Sequence, residues 1–391
     1  MDNAFDGQFF SDEPPGEILL TPGNFSIGGG FKGQSFKYYR GPVPDDFVLN
    51  EGDLLITMTD LSKESDTLGY PAIIPKSGGP RFLHNQRLGR VIIKGTAPLD
   101  RRYLYYLLCT QEYRHEVLAS ATGTTVRHTS PNRIGAYEFS LPPLEEQRAI
   151  AHILGTLDDK IESNRRMNET LEAMARALFQ SWFVDPVRDG LPKGWREGTL
   201  GEVAENPRRG IQPNEIEANT PYIGLEHMPR RCIALSVWGR ADELESSKFG
   251  FQCGEILFGK LRPYFHKVGV APLDGICSTD ILVVRAKEPD WFGFVLGHIS
   301  SDDLVNYTDA ASTGTKMPRT NWQDIAGFEV ALPPMPFAAA FTEQTRPLVD
   351  RIMIDIQESR TLAALRDALL PKLLSGDLRL HPREPADLKK S

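Results

Sequence analysis

The stretch LPPLEEQRAIAHILGTLDDKI, residues 141–161, has a second copy in the same chain. The related stretch LPPMPFAAAFTEQTRPLVDRI occupies residues 332–352, an offset of 191 residues. At the same offset, the tripeptide TGT at 122–124 falls on TGT at 313–315. The two copies align without a gap over residues 122–183, so we infer an internal repeat.

A long helical pattern follows each Leu-Pro-Pro. Apolar residues recur there at alternating spacings of three and four, which is typical of a coiled-coil seam. A helix of about 40 residues would span roughly 60 Å. An ordinary amphipathic helix with a polar notch remains the alternative. The seam positions are Leu154, Leu157, Ile161, Leu171, Ala175, Leu178 and Trp182 in the first helix, and Leu348, Ile352, Leu362, Leu369 and Leu373 in the second.

Polar residues interrupt the middle of each seam. They are Asn164 and Asn168 in the first helix, and Asp355 and Ser359 in the second. Buried polar residues in a seam lower its stability, but they specify register and orientation. If the two helices pair antiparallel along their full length, Asn168 meets Ser359 near the centre.

The segments outside the helices contain short strand patterns, rich in β-branched and aromatic residues and bounded by glycine, proline and aspartate. EGDLLITMTD at 51–60 resembles CGEILFGKLR at 253–262. Each half closes with a further strand pattern, YEFSL at 137–141 and FEVAL at 328–332, which the proline pair ends. Strands are also predicted within RVIIKG at 90–95 and DILVVRA at 280–286.

These patterns predict an α+β fold. We expect two similar mixed α/β domains separated by an antiparallel pair of long coiled-coil helices, in a pseudo-twofold arrangement. The expected segments are a first domain at 1–143, a spacer helix at 144–185, a second domain at 186–335, a second spacer helix at 336–376, and a flexible tail at 377–391.

The composition is that of a globular protein, with 40% hydrophobic and 25% charged residues. No apolar run approaches the length of about 20 residues that spans a bilayer, and the acidic N-terminus lacks the features of a signal peptide. We therefore expect a cytoplasmic protein without a membrane partner. The net charge of −8 argues against a protein that binds nucleic acid with its whole surface.

The sequence predicts no catalytic or metal-binding residue. GGGFKG at 28–33 matches a dinucleotide-binding pattern, but no helical pattern follows it. The phosphate-binding pattern GxxxxGK[ST] and the amino-methylation tetrapeptide [DN]PP[YF] do not occur. The four cysteines form no CxxC pair, and His128 and His266 have no metal-ligating partner at helical spacing.

Three basic segments are candidates for contact with DNA. The segment 258–267, FGKLRPYFHK, interleaves cations with aromatic residues. The loops 122–133 and 312–321 combine small hydroxyl residues with cations at equivalent places in the repeat. Hydroxyl and guanidinium groups suit phosphate oxygens, and arginine also suits guanine edges. A solvated basic loop is the alternative for any one of them. The candidate residues are Thr124, Arg127, His128, Arg133, Lys260, Arg262, Tyr264, Lys316 and Arg319.

The chain strongly resembles the specificity subunits (HsdS) of type I restriction–modification systems from about residue 17 to 380. The resemblance is carried by SLPPLEEQRAI, by LDDKIESNRRMNETLEAMARALFQSWF, by ILFGKLRPY, and by LRDALLPKLLSG. It implies two target recognition domains, each reading one half of a bipartite double-stranded DNA sequence. It also implies that the paired helices form a spacer that sets the gap between the half-sites.

The resemblance also implies partners. Two methyltransferase subunits would dock on this chain, and restriction subunits would join the full complex. S-adenosylmethionine, ATP and Mg would then belong to those partners, with no cofactor on this chain. Members of the family usually begin with a strand resembling REGTLGEVAEN, 196–206, in front of the first recognition domain. The first half has no equivalent, so we expect a shortened N-terminus or a strand supplied from elsewhere.

Two alternatives from other classes remain at this point. The chain could be a self-contained DNA methyltransferase or nuclease with fused recognition domains, against which the missing motifs count. It could also be a coiled-coil scaffold that binds only proteins.

Overall fold

The computed structural model describes residues 5–60, 62, 65–95, 98–123, 126–241, 246–312 and 317–380. The chain divides into two compact units. The first unit comprises Met1–Asp158 and Leu365–Ser391, and the second comprises Asp159–Ala364. The boundary therefore falls within both long helices, and each unit is described by itself.

The first unit is built from short strands and three helices of its own. Its strands form the sheets β1-β3-β2-β7, β6-β4-β8 and β5-β9, with the bounds β1 Phe10–Ser11, β2 Glu17–Leu19, β3 Lys37–Tyr39, β4 Leu54–Thr57, β5 Thr59–Asp60, β6 Pro71–Ile73, β7 Phe82–Leu83, β8 Leu88–Arg90 and β9 Arg127–His128. The helices are α1 Arg101–Leu107, α2 Gln111–Ser120 and α3 Pro131–Gly135.

The first long helix, α4, runs from Leu144 to Phe179 and continues as one π-helical turn at Gln180–Val184. Gln147 ties its start to the body of the first unit. The Gln147 amide nitrogen donates to Pro98 O at 3.0 Å, and its amide oxygen accepts from Asp100 N at 2.8 Å. Asp100 in turn caps α1, because its carboxylate accepts from Tyr103 N at 2.9 Å.

The second unit has a larger set of strands. Its sheets are β12-β15-β18-β13-β14, β11-β19-β16-β17 and β10-β20, with the bounds β10 Arg196–Thr199, β11 Ala204–Glu205, β12 Arg209–Ile211, β13 Pro221–Ile223, β14 Gly239–Arg240, β15 Lys248–Phe251, β16 Ile256–Gly259, β17 Val268–Val270, β18 Gly275–Cys277, β19 Ile281–Ala286 and β20 Glu329–Leu332. The helices are α5 Leu200–Val203, α6 Phe292–Ile299, α7 Asp302–Ala311, α8 Trp322–Ala326 and the long α9 Met335–Ser375.

The strand pairing of one unit recurs in the other. β4 lies between β6 and β8, and β16 lies between β17 and β19. Thr57 pairs with Leu88 in the first unit, and Gly259 pairs with Ile281 in the second. These pairs confirm the predicted equivalence of 51–60 and 253–262.

Strand β4 shows how the apolar run becomes a buried strand. Leu54 and Ile56 pack in a cluster with α1 and α2, whereas Leu55 packs in a separate cluster with Ile18 and Ile74. All three β4 residues are at most 2% exposed. A continuous apolar run is what a strand covered on both faces requires.

The two long helices run antiparallel within the second unit. Asn164 contacts Ser359 there, while Phe183 packs on Phe341 at a ring distance of 4.7 Å. Contacts further along α4 therefore fall earlier along α9, and the antiparallel pairing predicted from the seam is confirmed within the second unit. In the first unit, the two helices are joined by an ion pair, with the Arg366 guanidinium 2.7 Å from the Asp158 carboxylate.

The predicted register of the seam was wrong by one helical turn. Asn164, not Asn168, meets Ser359, with 3.2 Å between Asn164 Nδ2 and Ser359 Oγ. The prediction assumed that the helices pair along their full length, and so it placed the polar residues at the middle of one seam opposite those of the other. The observed register also accommodates aromatic side chains, because Trp182 lies 4.9 Å from Phe337 between ring centres.

One closing strand formed and the other did not. The pattern at 328–332 is a strand at Glu329–Leu332, paired with β10. The equivalent pattern at 137–141 is not a strand, so that prediction was wrong. In 90–95, only Arg90 belongs to a strand. Within the described residues, the first unit has no equivalent of β10 and β11 to pair with these segments.

Candidate nucleic-acid interface

Two loops that are far apart in sequence meet in the second unit. Thr320 N donates to Lys260 O at 3.1 Å, and Arg262 N donates to Pro318 O at 2.8 Å. The basic segment 260–267 is therefore joined through its backbone to the loop that carries Arg319. The structure brings together the loops that carry Lys260, Arg262 and Arg319, which the sequence proposed as separate candidates.

The segment 260–267 holds an exposed aromatic ring on a strained turn. Arg262 and His266 have left-handed backbone angles, with φ of 52° and 50°, on either side of a single helical turn at Pro263–Phe265. Left-handed backbone is uncommon outside glycine and clusters at functional sites. Tyr264 on this turn is 49% exposed and lies 4.7 Å from the Phe265 ring.

Arg230 was not predicted as part of this surface. Its guanidinium lies 4.0 Å from the centre of the Phe265 ring, so it adds a cation beside Tyr264. The sequence signal for Arg230 is weak, because it lies about 30 residues before the basic segment in a different loop.

His266 is an anchor of the turn rather than part of the exposed surface. Its side chain is buried, with Nε2 3.0 Å from Ser300 O and Nδ1 3.2 Å from the Asp302 carboxylate. Burial is the largest effect on its pKa and lowers it below the ordinary value. The ring therefore stabilises the loop as a neutral group at neutral pH.

Arg319 is exposed and lies beside one acidic group. Its Nε is 3.3 Å from the Asp280 carboxylate. The backbone carbonyl oxygen of Asp280 also accepts a hydrogen bond from Lys260 N at 2.9 Å. Asp280 therefore orients the Arg319 side chain next to Lys260. Such exposed ion pairs contribute little to stability, so a phosphate oxygen can compete for the guanidinium.

The first unit contains the same loop-to-loop connection. β9 pairs with β5, with Thr59 opposite His128, and Thr129 N donates to Met58 O at 3.0 Å. Met58 and Thr129 occupy the places of Lys260 and Thr320. His128 thus lies at the position of Arg319, and Arg127 precedes it on the same strand.

Two further contacts support this loop in the first unit. The Arg133 guanidinium donates to Thr122 Oγ1 at 3.4 Å, so Arg133 lies close to the hydroxyl loop. Burial alone would raise the pKa of Asp60, but hydrogen bonds from Thr67 and Ser62 outweigh it and lower that pKa. Asp60 is therefore a stable anion that holds Ser62 and Thr67 beside β5.

Two of the predicted contact residues, Thr124 and Lys316, lie outside the described residues. The other candidates fall into two groups, one in each unit, as the repeat predicted. They are Arg127, His128 and Arg133 in the first unit, and Lys260, Arg262, Tyr264 and Arg319 in the second.

Three of the predicted polar residues of the seam, Asn164, Asn168 and Asp355, are buried in the second unit, and Ser359 is partly buried. Asn164 Nδ2 donates to Glu358 Oε2 at 2.8 Å, and Lys160 lies 3.0 Å from the same carboxylate. The Lys160 hydrogen bond is the main reason that the pKa of Glu358 is lowered. Asp355 is fully buried and pairs with Arg351 at 2.8 Å. Asn168 is also buried, and its amide oxygen has no partner among the described residues.

In the ranges that the structure covers, no cluster of histidine, cysteine, aspartate or glutamate could hold a metal ion. No described helix combines the length and the apolar character needed to cross a bilayer.

Residues 43–173 match the family described as the type I restriction modification DNA specificity domain. This range includes most of the first unit and most of the long helix α4.

Several characterised relatives are similar over most of the chain. The MjaIX specificity subunit of Methanocaldococcus jannaschii is 27% identical, over 80% of this chain and 76% of its own length. The HindI specificity subunit of Haemophilus influenzae is 24% identical, over 90% of this chain and 99% of its own. Both are named as subunits of type I restriction enzymes.

A solved structure has a similar fold. The type I restriction–modification S subunit from M. genitalium superimposes with a TM-score of 0.54 and 17% identity, covering 94% of each chain. At this identity the likeness concerns the fold.

Proposed function

We propose that the chain is a type I restriction–modification specificity subunit that reads a bipartite DNA target, because residues 43–173 match the specificity-domain family and the similar subunits match over most of the chain. It is a DNA-recognition subunit rather than a catalytic one. We assign one half-site to a recognition domain at 1–143 and the other to a recognition domain at 186–335. The spacer helices are assigned to 144–185 and 336–376.

The observation that carries the proposal is the loop connection present in both units. In each, a backbone N–H after the hydroxyl loop donates to the residue that follows the central strand. In the second unit the connection places cationic side chains from two loops near each other, at Lys260 and Arg319, whereas in the first unit Met58 and His128 occupy these places and Arg127 and Arg133 lie on the hydroxyl loop itself. Arginine side chains on neighbouring loops can contact phosphates and base edges together.

The loop assignment is tested by changing Arg319 to Ala in a complex with the methyltransferase subunit. Loss of one such DNA contact costs about 1–3 kcal/mol, which is a roughly 5- to 150-fold loss of affinity. Sequencing of methylated host DNA would first identify the target, and footprinting on that target would then measure the affinity.

Arg285 provides the matched control. It is an exposed arginine of the same unit, paired with Glu205 at 2.5 Å, and it lies outside the loops. We expect Arg285→Ala to leave DNA affinity unchanged. If Arg319→Ala assembles normally and also binds DNA like the parent, the loop assignment is wrong.

We further propose that the paired helices set the gap between the half-sites in a pseudo-twofold molecule. A length of about 60 Å corresponds to between one and two turns of B-DNA, at roughly 34 Å per turn. Inserting seven residues in register into both helices adds about 10 Å. The tolerated gap should then lengthen by about three base pairs, at roughly 3.4 Å each. Methylation-site sequencing would measure the gap, and an unchanged gap would count against this role.

The partner assignments follow from the same premise. We propose that two methyltransferase subunits dock on this chain and that restriction subunits complete the complex in the cytoplasm. S-adenosylmethionine, ATP and Mg would be bound by those partners. Methyl transfer from labelled S-adenosylmethionine to DNA by the purified chain alone would contradict this assignment.

A further inference from the structure

Two backbone hydrogen bonds fix the position of Arg319 in the second unit. On one side, Arg262 N donates to Pro318 O at 2.8 Å. On the other side, Thr320 N donates to Lys260 O at 3.1 Å, and Thr320 itself is buried. Arg319 is exposed, so its side chain leaves a fixed stretch of backbone and reaches the surface.

The side chain of Arg319 is oriented by a carboxylate. Its Nε lies 3.3 Å from Asp280 Oδ1, yet 48% of the Arg319 side chain and 29% of the Asp280 side chain remain exposed. An arginine side chain has five N–H donors, and this contact uses the one on Nε. The two terminal amino groups carry the other four donors, so they remain for a further partner in a fork of defined orientation.

Asp280 is itself held by backbone contacts. Asp280 N donates to Ser278 Oγ at 3.2 Å, and Asp280 O accepts from Lys260 N at 2.9 Å. The carboxylate and the guanidinium are therefore both attached to backbone that has hydrogen-bonding partners. A binding group held by such a supporting contact is ordered before its ligand arrives.

The first unit shows that the fold does not require a carboxylate at this place. Arg87 immediately precedes β8, as Asp280 immediately precedes the equivalent strand β19. Met58 N donates to Arg87 O at 2.9 Å, as Lys260 N donates to Asp280 O. The backbone hydrogen bond is thus formed with side chains of opposite charge. The Asp280 carboxylate is therefore free to serve the neighbouring arginine.

The Asp280 carboxylate discriminates between the two kinds of DNA contact open to Arg319. A phosphate oxygen can reach the guanidinium, but it brings a second anion that the carboxylate repels. A guanine edge is uncharged and offers two acceptors, N7 and O6, which suit a bidentate contact with arginine. Guanine can bind the terminal amino groups while Nε stays with Asp280. The arrangement therefore favours a base edge over a phosphate.

We propose that Arg319 reads a guanine in the major groove of the half-site bound by the second unit, and that Asp280 is its positioning residue. The two terminal amino groups of Arg319 donate to N7 and O6 of that guanine. In the first unit, His128 and Arg87 occupy the places of Arg319 and Asp280, so this form of readout belongs to the second unit alone. The inference rests on the proposed function, because it specifies how one recognition domain reads its half-site.

The first test separates base preference from overall affinity. The full chain is assembled with the methyltransferase subunit, and binding is measured on the target and on duplexes with each single base-pair replacement. Replacing the guanine that Arg319 reads should weaken binding by the parent about 5- to 150-fold. Arg319→Ala should abolish the preference at that base pair and leave the preferences at all other positions unchanged. Circular dichroism checks that the variant is folded.

A modified base tests the contact at a single atom. 7-Deazaguanine still pairs with cytosine but lacks the N7 acceptor. At the position that Arg319 reads, it should weaken binding by the parent several-fold and have no effect on binding by Arg319→Ala. Equal weakening of the parent and the variant would show that another residue reads this guanine, and the inference would be wrong.

Asp280→Ala tests the positioning role, because it removes the carboxylate and keeps the backbone carbonyl. The preference for guanine at that base pair should fall several-fold, while affinity for DNA of unrelated sequence stays equal or rises. The matched control is Arg285→Ala, which breaks another exposed arginine–carboxylate pair of the same unit. It should change neither the preference nor the affinity. If Asp280→Ala leaves the guanine preference intact, Asp280 does not position Arg319.

The dependence of affinity on salt distinguishes failure of this inference from failure of the proposed function. If Arg319→Ala weakens binding equally on every duplex and reduces the slope of log affinity against log salt by about one, Arg319 contacts a phosphate. That result overturns the inference and leaves the proposed function in place. A parent complex without any sequence preference would contradict the proposed function, and this inference with it.

Discussion

The two units place nearly the same strand pattern in different surroundings. In the second unit, FEVAL at 328–332 provides a paired strand with Val330 and Leu332 buried. In the first unit, YEFSL at 137–141 is exposed and forms no strand. The difference teaches that these residues become a strand only when another segment provides hydrogen bonds to their backbone.

A second contrast concerns the helices that precede the hydroxyl loops. By the offset of 191, Leu107 at the end of α1 occupies the place of His298 in α6. Leu107 packs in an apolar cluster. His298 lies between aromatic rings, 4.9 Å from Phe179 and 4.4 Å from Phe294. The helix is therefore present in both halves of the repeat, but the second half has the titratable His298 where the first half has the apolar Leu107.

The largest expected effect tests the contrast between the closing segments. Leu332→Ala removes a buried side chain and should lower the free energy of unfolding of the second unit by about 2–5 kcal/mol. The equivalent Leu141→Ala should change the first unit by no more than about 0.5 kcal/mol, because Leu141 is exposed. Native-state hydrogen exchange can measure each unit separately. Equal losses in the two variants would show that the edge at 137–141 is covered after all.

An intermediate effect is expected from the histidine that stands in the place of leucine. Burial lowers the pKa of His298 from 6.5 to about 3, so the folded state keeps this ring neutral. The contribution of the neutral His298 ring to stability is fully present above pH 6.5. It is lost as the pH falls towards 3, because in this range only the unfolded state binds the proton. Between pH 6.5 and pH 5 the loss is about 2 kcal/mol, at 1.36 kcal/mol per pH unit.

The variant His298→Leu should remove this part of the acid sensitivity. Urea unfolding at pH 7 and pH 5, followed by tryptophan fluorescence, measures the second unit selectively, since all five tryptophans lie between 182 and 322. If the variant and the parent lose the same free energy between these pH values, His298 is not the source.

The smallest effect concerns the polar seam of the second unit. Asn164 makes hydrogen bonds to Glu358 and Ser359, so Asn164→Ala should cost about 1 kcal/mol. Asn168 has a buried amide oxygen without a described partner, so Asn168→Leu should be neutral or stabilising. Urea unfolding followed by tryptophan fluorescence would compare the two. If Asn168→Leu loses more free energy of unfolding than Asn164→Ala, then Asn168, and not Asn164, makes the contact that fixes the helix register.

Much of the candidate interface could be predicted from sequence because the repeat aligned the loops. Arg319 and His128 are matched by the offset, and the structure places them opposite Leu261 and Thr59, each the second residue after the central strand. Asp280 and Arg230 were missed because they come from other parts of the chain. A contact between distant segments leaves no periodic signal in either segment.

The sequence by itself determined the internal repeat, the two long helices and the resemblance to a known family. These features depend on local periodicity and on motifs within one stretch of chain, which a single sequence displays directly. Tertiary structure decided the register of the helix pair, the absence of a strand at 137–141 and the burial of His298. Each of these depends on which distant residues come into contact, because a strand needs hydrogen-bonding partners and a side chain is buried by its neighbours.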